Sequence, residues 1–350
     1  MIKLALVLGT RPEILKFAPI IDELKKRQIK HKIFFTRQHF TANMGQNFFK
    51  ELDINISEEF PYDFDRDVVD IWIKTKLKEY KPDCVLVQGD TKTALTATLA
   101  SVFLKIPVAH IEAGLRSFNF SEPFPEELNR TLIDAVSTYL FCPTKNNKNN
   151  LVIKKHDGQK AFVTGNTIID LIKTAKQDVT YSNQILITMH RRDNWTRINE
   201  ICSGLDWLAE NHPKYKFIFV KHANKTISEK IKARLLPSKI TIIPPQPYLE
   251  FMKLMATSKL IITDSGGLVE EASALGIPTV VIREATERQE AIDIGCSVLA
   301  GTNGGQVLDA VHNILINPSV WKKMSDCKCP FGDGKASKLI VNILERELTR

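Results

Sequence analysis

The stretch KLIITDSGGLVEEASALGIPTVVI, residues 259–282, decides the fold. An apolar run over Leu260–Thr263 predicts a strand, a glycine-rich turn follows it, and Gly267–Leu275 has the composition of a helix. A glycine and a proline end that helix, and the apolar run Thr279–Ile282 predicts a second strand. Because both strands are apolar on both faces, the stretch indicates a βαβ unit of a parallel sheet covered by helices.

The same alternation of short apolar strands and helical patterns extends in both directions from this stretch. In the first half we predict strands at Ile2–Leu8, His31–Thr36, Cys84–Gln88, Pro107–Ile111 and Tyr139–Cys142, and helices at Glu13–Lys26, Ala42–Leu52, Val69–Tyr80, Thr91–Leu104 and Pro125–Val136. In the second half we predict strands at Gln184–Thr188, Lys216–Val220, Ile240–Ile243 and Ser297–Leu299, and helices at Arg197–Asn211, Ile227–Leu236 and Leu249–Thr257. The pattern predicts an α/β protein with two Rossmann-like, doubly wound domains, 1–166 and 167–335, which face each other across a cleft.

Composition excludes several classes of protein. The chain has 350 residues, of which 43% are hydrophobic and 25% are charged, as in ordinary globular proteins and unlike disordered ones. No apolar stretch approaches the roughly 18 residues of a membrane span, and the apolar N-terminus is too short for a signal peptide. The six cysteines form neither a disulfide framework nor a four-ligand zinc set, so we expect a reduced, cytoplasmic protein.

The positive charge first raises the question of nucleic acid. Lys and Arg number 48 against 40 Asp and Glu, a formal charge of +8. The most basic run, Lys145–Lys160, contains no aromatic residue, so we interpret it as solvated surface and expect no nucleic acid. No strand is followed by G-x-G-x-x-G, and there is neither a Walker A sequence nor H-E-x-x-H, so we expect neither a nicotinamide cofactor nor a metal.

Two loops at strand ends have the features of anion sites. In the first, Thr10 and Glu13 have capping-box spacing, and Arg11 and Lys16 would bring two cations to one helix N-terminus. Such a pair opposes the helix dipole unless an anion lies between the cations. The second loop is 264–271, DSGGLVEE, where a serine can cap the helix and two glycines let the backbone approach a phosphate.

Acidic groups and a histidine follow other strands. They are Asp90 in VQGDT, Glu112 in HIEAGLRS, Glu126 and Glu127 in PEELNR, and His190 in TMHRRDN. Each has a purely structural interpretation: Asp90 as a helix cap, Glu126 as an acid in the first turn of a helix, Glu112 as a partner of Arg116, and His190 as a core side chain. Several carboxyl groups at one edge also allow their pKa values to differ, as acid and base catalysis requires.

Taken together, these loops resemble those of the UDP-N-acetylglucosamine 2-epimerase family. GTRPE, RQHF, VQGDT, HIEAGLRS, PEELNR, VTGN, MHRRDN, TDSGG followed by EE, and TERQE occur in the family's order, and the resemblance covers nearly the whole chain. It implies a fold like that of GT-B glycosyltransferases, with a C-terminal helix at about 336–350 returning to the first domain, and a homodimer.

The resemblance also implies a reaction. UDP-GlcNAc and UDP-ManNAc would interconvert through anti-elimination of UDP, which gives 2-acetamidoglucal, followed by re-addition. The product would enter a polysaccharide or another glycan. The resemblance assigns catalytic roles to Asp90, Glu112, Glu126 and His190. The implied substrate-binding residues are Arg11, Lys16, Gln38, His39, Arg116, Asn166, Arg191, Ser265, Gly266, Gly267, Glu271 and Arg288.

The sequence departs from the family in a few places and leaves alternatives open. The segment between Leu52 and Lys78 looks shortened; in bacterial members this region helps to form an allosteric site, together with a pair matched by Gln38 and His39. Ser273 stands where the family commonly has proline. A hydrolysing epimerase that releases UDP and ManNAc, or an epimerase of a related UDP-2-acetamido sugar, would use similar residues, and the sequence does not tell base from acid among the carboxyl groups.

Overall fold

The computed structural model describes residues 2–38, 49–121, 123–151, 158–175, 178–189, 192–221, 229, 231–235 and 239–349, with the side chains of 192 and 193 excepted. The chain divides into two compact units. The first comprises Met1–Thr174 and Phe331–Arg350, and the second comprises Ala175–Pro330. The predicted helix Ala42–Leu52 falls mostly outside the described residues, and the predicted helix Ile227–Leu236 falls partly outside them.

The first unit contains a seven-stranded sheet, all of whose strands are parallel. Its strands are β1 (Lys3–Leu8), β2 (Lys30–Phe35), β3 (Glu58–Glu59), β4 (Cys84–Gln88), β5 (Val108–Ile111), β6 (Tyr139–Cys142) and β7 (Lys160–Val163). Its helices are α1 (Arg11–Lys26), α2 (Arg66–Tyr80), α3 (Lys92–Phe103), α4 (Glu126–Val136), α5 (Lys145–Asn149) and α6 (Thr167–Thr174). The strand order β3-β2-β1-β4-β5-β6-β7 reverses between β1 and β4, as in a doubly wound fold.

The second unit repeats this plan with six parallel strands. The strands are β8 (Gln184–Thr188), β9 (Lys216–Val220), β10 (Ile240–Ile243), β11 (Ser258–Thr263), β12 (Thr279–Val281) and β13 (Ser297–Leu299). The helices are α7 (Ile198–Asn211), α8 (Tyr248–Ala256), α9 (Gly266–Leu275), α10 (Gln289–Asp293), α11 (Gly304–Ile316) and α12 (Pro318–Ser325), and a 3-10 turn spans Arg192–Trp195. The order β10-β9-β8-β11-β12-β13 reverses between β8 and β11.

Two Rossmann-like sheets confirm the predicted fold class. The central strands β4 and β8 are buried almost throughout, because helices cover both faces of each sheet. Separate hydrophobic cores result: Val85, Val87 and Ile133 belong to the core of the first unit, and Ile187 and Ile262 to that of the second. Burying such aliphatic side chains stabilises each unit by about 1.5–3 kcal/mol per side chain.

The C-terminal segment 331–350 packs on the first unit through α13 (Ala336–Leu348). The carboxylate of Asp170 on α6 caps this helix: it accepts the Ala336 N–H at 3.1 Å, the Ser337 N–H at 2.8 Å and the Ser337 hydroxyl at 2.6 Å. Farther along, Arg27, the C-cap residue of α1, pairs with Glu345 at 2.6 Å. The predicted C-terminal helix is therefore present, and a side chain distant in sequence fixes its start.

None of the helices in the described ranges is long and apolar enough to cross a membrane.

Candidate functional site

The strand order of the first unit reverses between β1 and β4, so the loops after these strands are neighbours. A Cβ atom at Gly9 would lie 2.2 Å from Thr36 Oγ1 and 2.3 Å from Thr93 Oγ1, so only glycine fits this part of the β1 loop. Gln38 lies at the start of α3, where its Oε1 accepts the Thr93 N–H at 2.8 Å and the Thr93 hydroxyl at 2.9 Å. The side-chain carbonyl of Gln38 is therefore hydrogen-bonded to a residue of α3.

Glu13 joins the two loops. Its Oε2 accepts hydrogen bonds from the N–H of Gly9 at 2.8 Å, the N–H of Thr10 at 2.7 Å and the hydroxyl of Thr10 at 2.8 Å, while Oε1 accepts the Thr91 hydroxyl at 2.6 Å. Complete burial raises the pKa of Glu13 to about 7, although these hydrogen bonds oppose the shift. The predicted capping box is confirmed. The bond to Thr91 has no signal in the local sequence, because Thr91 belongs to a different loop.

Glu112 lies at the end of β5 in a buried ion pair. Its Oε1 lies 2.5 Å from Lys16 Nζ and accepts a bond from Asn166 Nδ2 at 3.3 Å, and Gln88 Nε2 donates to its Oε2. The backbone of Glu112 has φ 70°, a left-handed conformation that non-glycine residues rarely adopt. Such strain is concentrated at functional sites, and here it directs a carboxylate from a central strand toward a lysine of α1.

Asp90 follows β4 and is held by α4. Arg130 Nη2 donates to the Asp90 carboxylate, and Asn129 Nδ2 donates to its backbone carbonyl at 2.8 Å. The interpretation of Asp90 as a helix cap is wrong, because the residue that caps α3 is Thr91, whose hydroxyl accepts the Ala94 N–H at 3.0 Å. The Asp90 side chain is 26% exposed, so its carboxyl group is both positioned and accessible.

The two adjacent glutamates at the start of α4 have different environments. Glu127 is buried, accepts the backbone N–H groups of Ser117 at 2.9 Å and Phe118 at 3.1 Å, and lies 3.2 Å from Arg130 Nη1. Glu126 is half-buried in the first turn of the helix, as the structural interpretation expected. Glu127 therefore orders the loop before α4, and Glu126 is the more accessible carboxyl group.

His110 and Arg116 share a carboxylate. His110 Nδ1 lies 2.7 Å from Asp134 Oδ1, its Nε2 lies 2.8 Å from the Gly89 carbonyl oxygen, and Arg116 Nη1 donates to Asp134 Oδ2 at 2.6 Å. Burial alone would raise the pKa of Asp134, but the adjacent His110 and Arg116 hold it below the usual range. The interpretation that pairs Arg116 with Glu112 is wrong, since the partner of Arg116 is Asp134.

Arg11 and Lys16, the predicted cation pair of the first loop, have different surroundings. Arg11 begins α1 and is exposed, whereas Lys16 is buried, with its ammonium on a carboxylate. The anion beside Lys16 is thus a side chain of the protein itself. Three predicted site residues, His39, His190 and Arg191, lie outside the described residues.

In the second unit, the loop after β11 forms the N-terminus of α9. Ser265 is the N-cap residue, and its own N–H donates to Thr263 Oγ1 at 3.0 Å. A Cβ atom at Gly266 would lie 3.3 Å from Cζ and Nε of Arg288, so the guanidinium rests against this glycine. At Gly267 the nearest atom would be 3.9 Å away. At this helix terminus a cation lies against Gly266 and space is open beside Gly267, an arrangement that suits a bound anion.

Buried charges surround this helix. Arg288 Nε donates to Glu270 Oε1 at 2.9 Å, Arg288 Nη1 lies 3.6 Å from Glu287 Oε1, and Arg283 pairs with the other oxygen of Glu287. Glu271 is also buried, one position farther along α9. The network fixes the Arg288 side chain, which the sequence resemblance had implied as a binding residue.

Asn194 connects the loops at the switch point of the second sheet. Its Nδ2 donates to Asp264 Oδ2 at 2.8 Å and to the Ile282 carbonyl at 3.2 Å, and the hydroxyls of Thr188 and Thr263 are 2.8 Å apart. Asn194 belongs to the MHRRDN segment but is not among the site residues predicted from the sequence. Its position in a loop next to that of Asp264, at the ends of paired strands, is the signal that could have identified it.

Chemically, the first unit provides carboxyl groups, and the second provides a helix N-terminus whose surroundings suit an anion. Glu112 lies against a lysine, Asp90 against an arginine, and Glu126 is accessible, so these groups differ in environment as acid and base roles require. Among the residues described, no three His, Cys, Asp or Glu side chains are arranged to hold a metal ion.

Comparison with known proteins identifies the family. Residues 22–345 match the family model for UDP-N-acetylglucosamine 2-epimerase. A structure of UDP-GlcNAc 2-epimerase from Neisseria meningitidis, bound to UDP-GlcNAc, is 36% identical, with a TM-score of 0.89 over 98% of this chain and 100% of that one. The Methanocaldococcus jannaschii enzyme in complex with UDP-GlcNAc and UDP is 38% identical, with a TM-score of 0.86 over 98% and 99% of the two chains. The Yersinia pestis UDP-N-acetylglucosamine 2-epimerase is 36% identical over 98% of each chain. Because the family model matches residues 22–345 and these relatives cover 98% of its length, this chain belongs to the UDP-N-acetylglucosamine 2-epimerase family.

Proposed function

We propose that this chain interconverts UDP-GlcNAc and UDP-ManNAc without hydrolysing them. Support comes from relatives that match over the full length and from the carboxyl groups around the β1 and β4 loops. The single observation that carries the proposal is the Glu112 carboxylate, buried on Lys16 in a strained backbone conformation at the end of a central strand. The ion pair and the strained backbone fix this carboxylate in one orientation, as a proton-transfer group requires.

The proposed reaction has two steps, an elimination and an addition. In the first, the anomeric C–O bond breaks, the C2 proton passes to a carboxylate, and UDP and 2-acetamidoglucal are formed. In the second, a UDP oxygen adds to C1, and a carboxyl group protonates C2 on the opposite face. Asp90, Glu112 and Glu126 supply the proton-transfer groups, and His190 acts on the leaving-group side.

Binding of the nucleotide is assigned to the remaining residues. Ser265, Gly266, Gly267 and Arg11 bind the diphosphate, because helix N-termini and guanidinium groups favour anions. Glu271 accepts the ribose hydroxyls. Two relatives whose structures contain UDP-GlcNAc support a UDP-sugar as the ligand. The other substrate-binding residues are Lys16, Gln38, His39, Arg116, Asn166, Arg191 and Arg288.

The test is incubation with UDP-GlcNAc in D2O, followed by proton NMR of the products. Formation of UDP-ManNAc with deuterium at C2 supports the proposal, because the proton that returns to C2 comes from an exchanged carboxyl group. Free ManNAc and UDP would show a hydrolysing enzyme, and unchanged substrate would refute both reactions. Glu112→Gln is the control: it should lose turnover while UDP affinity, measured by calorimetry, stays close to that of the wild type.

We also propose a homodimer formed through the α3 and α4 helices. On α3, Leu99, Val102 and Phe103 are exposed on one face, and Phe103 is 75% exposed. The neighbouring α4 exposes three further apolar side chains at helical spacing, Leu128, Leu132 and Val136. Contiguous apolar patches of this kind mark protein interfaces. Because both faces belong to the same chain, a second copy related by twofold symmetry can cover them.

Light scattering tests the dimer. The wild type should have about twice the chain mass, and Phe103→Glu should give monomers, because a charge in an apolar interface is costly. A monomeric wild type would refute the proposal.

Cytoplasmic localisation and supply of an amino sugar to a polysaccharide complete the proposal. The localisation is supported by the six cysteines, all of which are thiols.

A further inference from the structure

His110 is a buried histidine with two acceptors. It lies in β5 with no exposed surface, and its ring nitrogens face the Asp134 carboxylate at 2.7 Å and the Gly89 carbonyl oxygen at 2.8 Å. A carboxylate and a carbonyl only accept hydrogen bonds. His110 therefore links a carboxylate and a backbone carbonyl through its two ring nitrogens.

The carboxylate that faces His110 is itself held in place. Asp134 Oδ1 faces His110, while Oδ2 accepts the Gly114 N–H at 3.1 Å and Arg116 Nη1 at 2.6 Å. Each oxygen of the buried carboxylate is thereby hydrogen-bonded, and the His110 side chain is held in one orientation. Buried polar networks in which every member has a partner are rigid.

His110 holds the peptide group between Gly89 and Asp90. Gly89 has φ 68° and its carbonyl points to the ring. In a trans peptide the carbonyl and the next N–H point in opposite directions, so this bond also fixes the plane from which the Asp90 chain continues. Asn129 and Arg130 hold the far side of Asp90 from α4, and His110 holds the near side from the sheet.

We propose that His110 is a positioning residue, which fixes the Gly89–Asp90 peptide so that the Asp90 carboxylate is presented to the substrate in one geometry. The inference rests on the proposed epimerase function and on the role of Asp90 in it. The alternative is a core histidine whose purpose is to compensate the charge of Asp134. The two interpretations assign importance to different ring nitrogens, Nε2 and Nδ1.

A pair of variants separates the two nitrogens. In His110→Gln the amide nitrogen can occupy the position of Nε2 and donate to Gly89, and in His110→Asn it can occupy the position of Nδ1 and donate to Asp134. If positioning of Asp90 is the role of His110, His110→Asn lowers kcat by about 100-fold, the cost of a misplacement of about 1 Å. His110→Gln then stays within about tenfold of the wild type, and KM changes little in either variant.

Steady-state epimerisation of UDP-GlcNAc is measured for both variants, with circular dichroism and UDP titration to establish that each is folded. A folded His110→Asn variant with near-normal kcat, or equal losses in the two variants, would overturn the inference. If His110→Asn does not fold, Asn129→Ala takes its place, because it removes another donor to the same residue and should lower kcat with KM retained. Normal kcat in Asn129→Ala would then count against the positioning of Asp90. An inactive wild type would instead refute the epimerase function itself.

Discussion

Replacement of Glu13 by glutamine should stabilise the protein, by an amount that grows as the pH rises from about 4.5 to about 7 and is constant above that. Burial raises the pKa of this carboxyl group from 4.5 to about 7. A carboxyl group whose folded-state pKa is raised contributes stability that is complete below about pH 4.5 and is lost as the pH rises through about 7. The difference of about 2.5 pH units, at about 1.36 kcal/mol each, amounts to about 3 kcal/mol.

Glutamine reproduces the neutral form of this side chain. Its carbonyl can accept the bonds from Gly9 and Thr10, and its amide can donate to Thr91 Oγ1, which also accepts the Ala94 N–H. The variant therefore keeps the contacts of a protonated Glu13 without its ionisation. The free energy of unfolding of Glu13→Gln should equal that of the wild type near pH 4.5 and exceed it by about 3 kcal/mol at pH 8.

Urea unfolding at pH 5, 6, 7 and 8, followed by circular dichroism, measures this difference. Glu250→Gln is the matched control, because the Glu250 side chain is 55% exposed and its replacement should change the free energy of unfolding little. A difference for Glu13→Gln that is constant with pH, or a wild type that is the more stable protein at pH 8, would refute the reasoning.

Three further predictions concern the site. Lys16→Met should destabilise the first unit by about 3–5 kcal/mol in urea unfolding, because Glu112 loses its buried partner. The double variant Lys16→Met/Glu112→Gln should recover much of this loss. An equal loss of stability in the single and the double variant would contradict the ion pair. Glu126→Gln should lower turnover at unchanged melting temperature, whereas Glu127→Gln should lower the melting temperature, and the reverse pattern would exchange their roles. Gly266→Ala should weaken UDP binding about tenfold in calorimetry, because its Cβ would displace a guanidinium that lies 3.3 Å away; unchanged affinity would remove this glycine from the UDP site.

The sheet strands and most helices were predictable because parallel sheets require apolar strands and helices need marked ends. Strand β3, Glu58–Glu59, was not: two acidic residues carry no strand signal, and they form an edge only because Phe34 and Phe35 of β2 offer paired backbone groups. Strand β7 was missed for a related reason. It is short and only partly buried, so its sequence lacks a continuous apolar run.

The loops of the site were predictable, but their internal contacts were not. The sequence placed Glu126 and Glu127 together without distinguishing them, because only the fold brings the N–H groups of Ser117 and Phe118 to one of them. It likewise could not pair Glu112 with Lys16, since the partners are 96 residues apart and meet through the strand order. Long-range hydrogen bonds of this kind depend on topology, which no local pattern contains.

The most direct test of the account follows the anomeric oxygen of UDP-GlcNAc. If the C1–O bond breaks and UDP re-adds, an oxygen-18 label placed in the bridge between C1 and the β-phosphorus becomes a terminal β-phosphate oxygen while UDP is detached. Phosphorus NMR of the nucleotide sugars recovered after partial reaction should then show label in non-bridging positions. Epimerisation with all of the label still in the bridge would contradict the account, because C2 would then be inverted without departure of UDP.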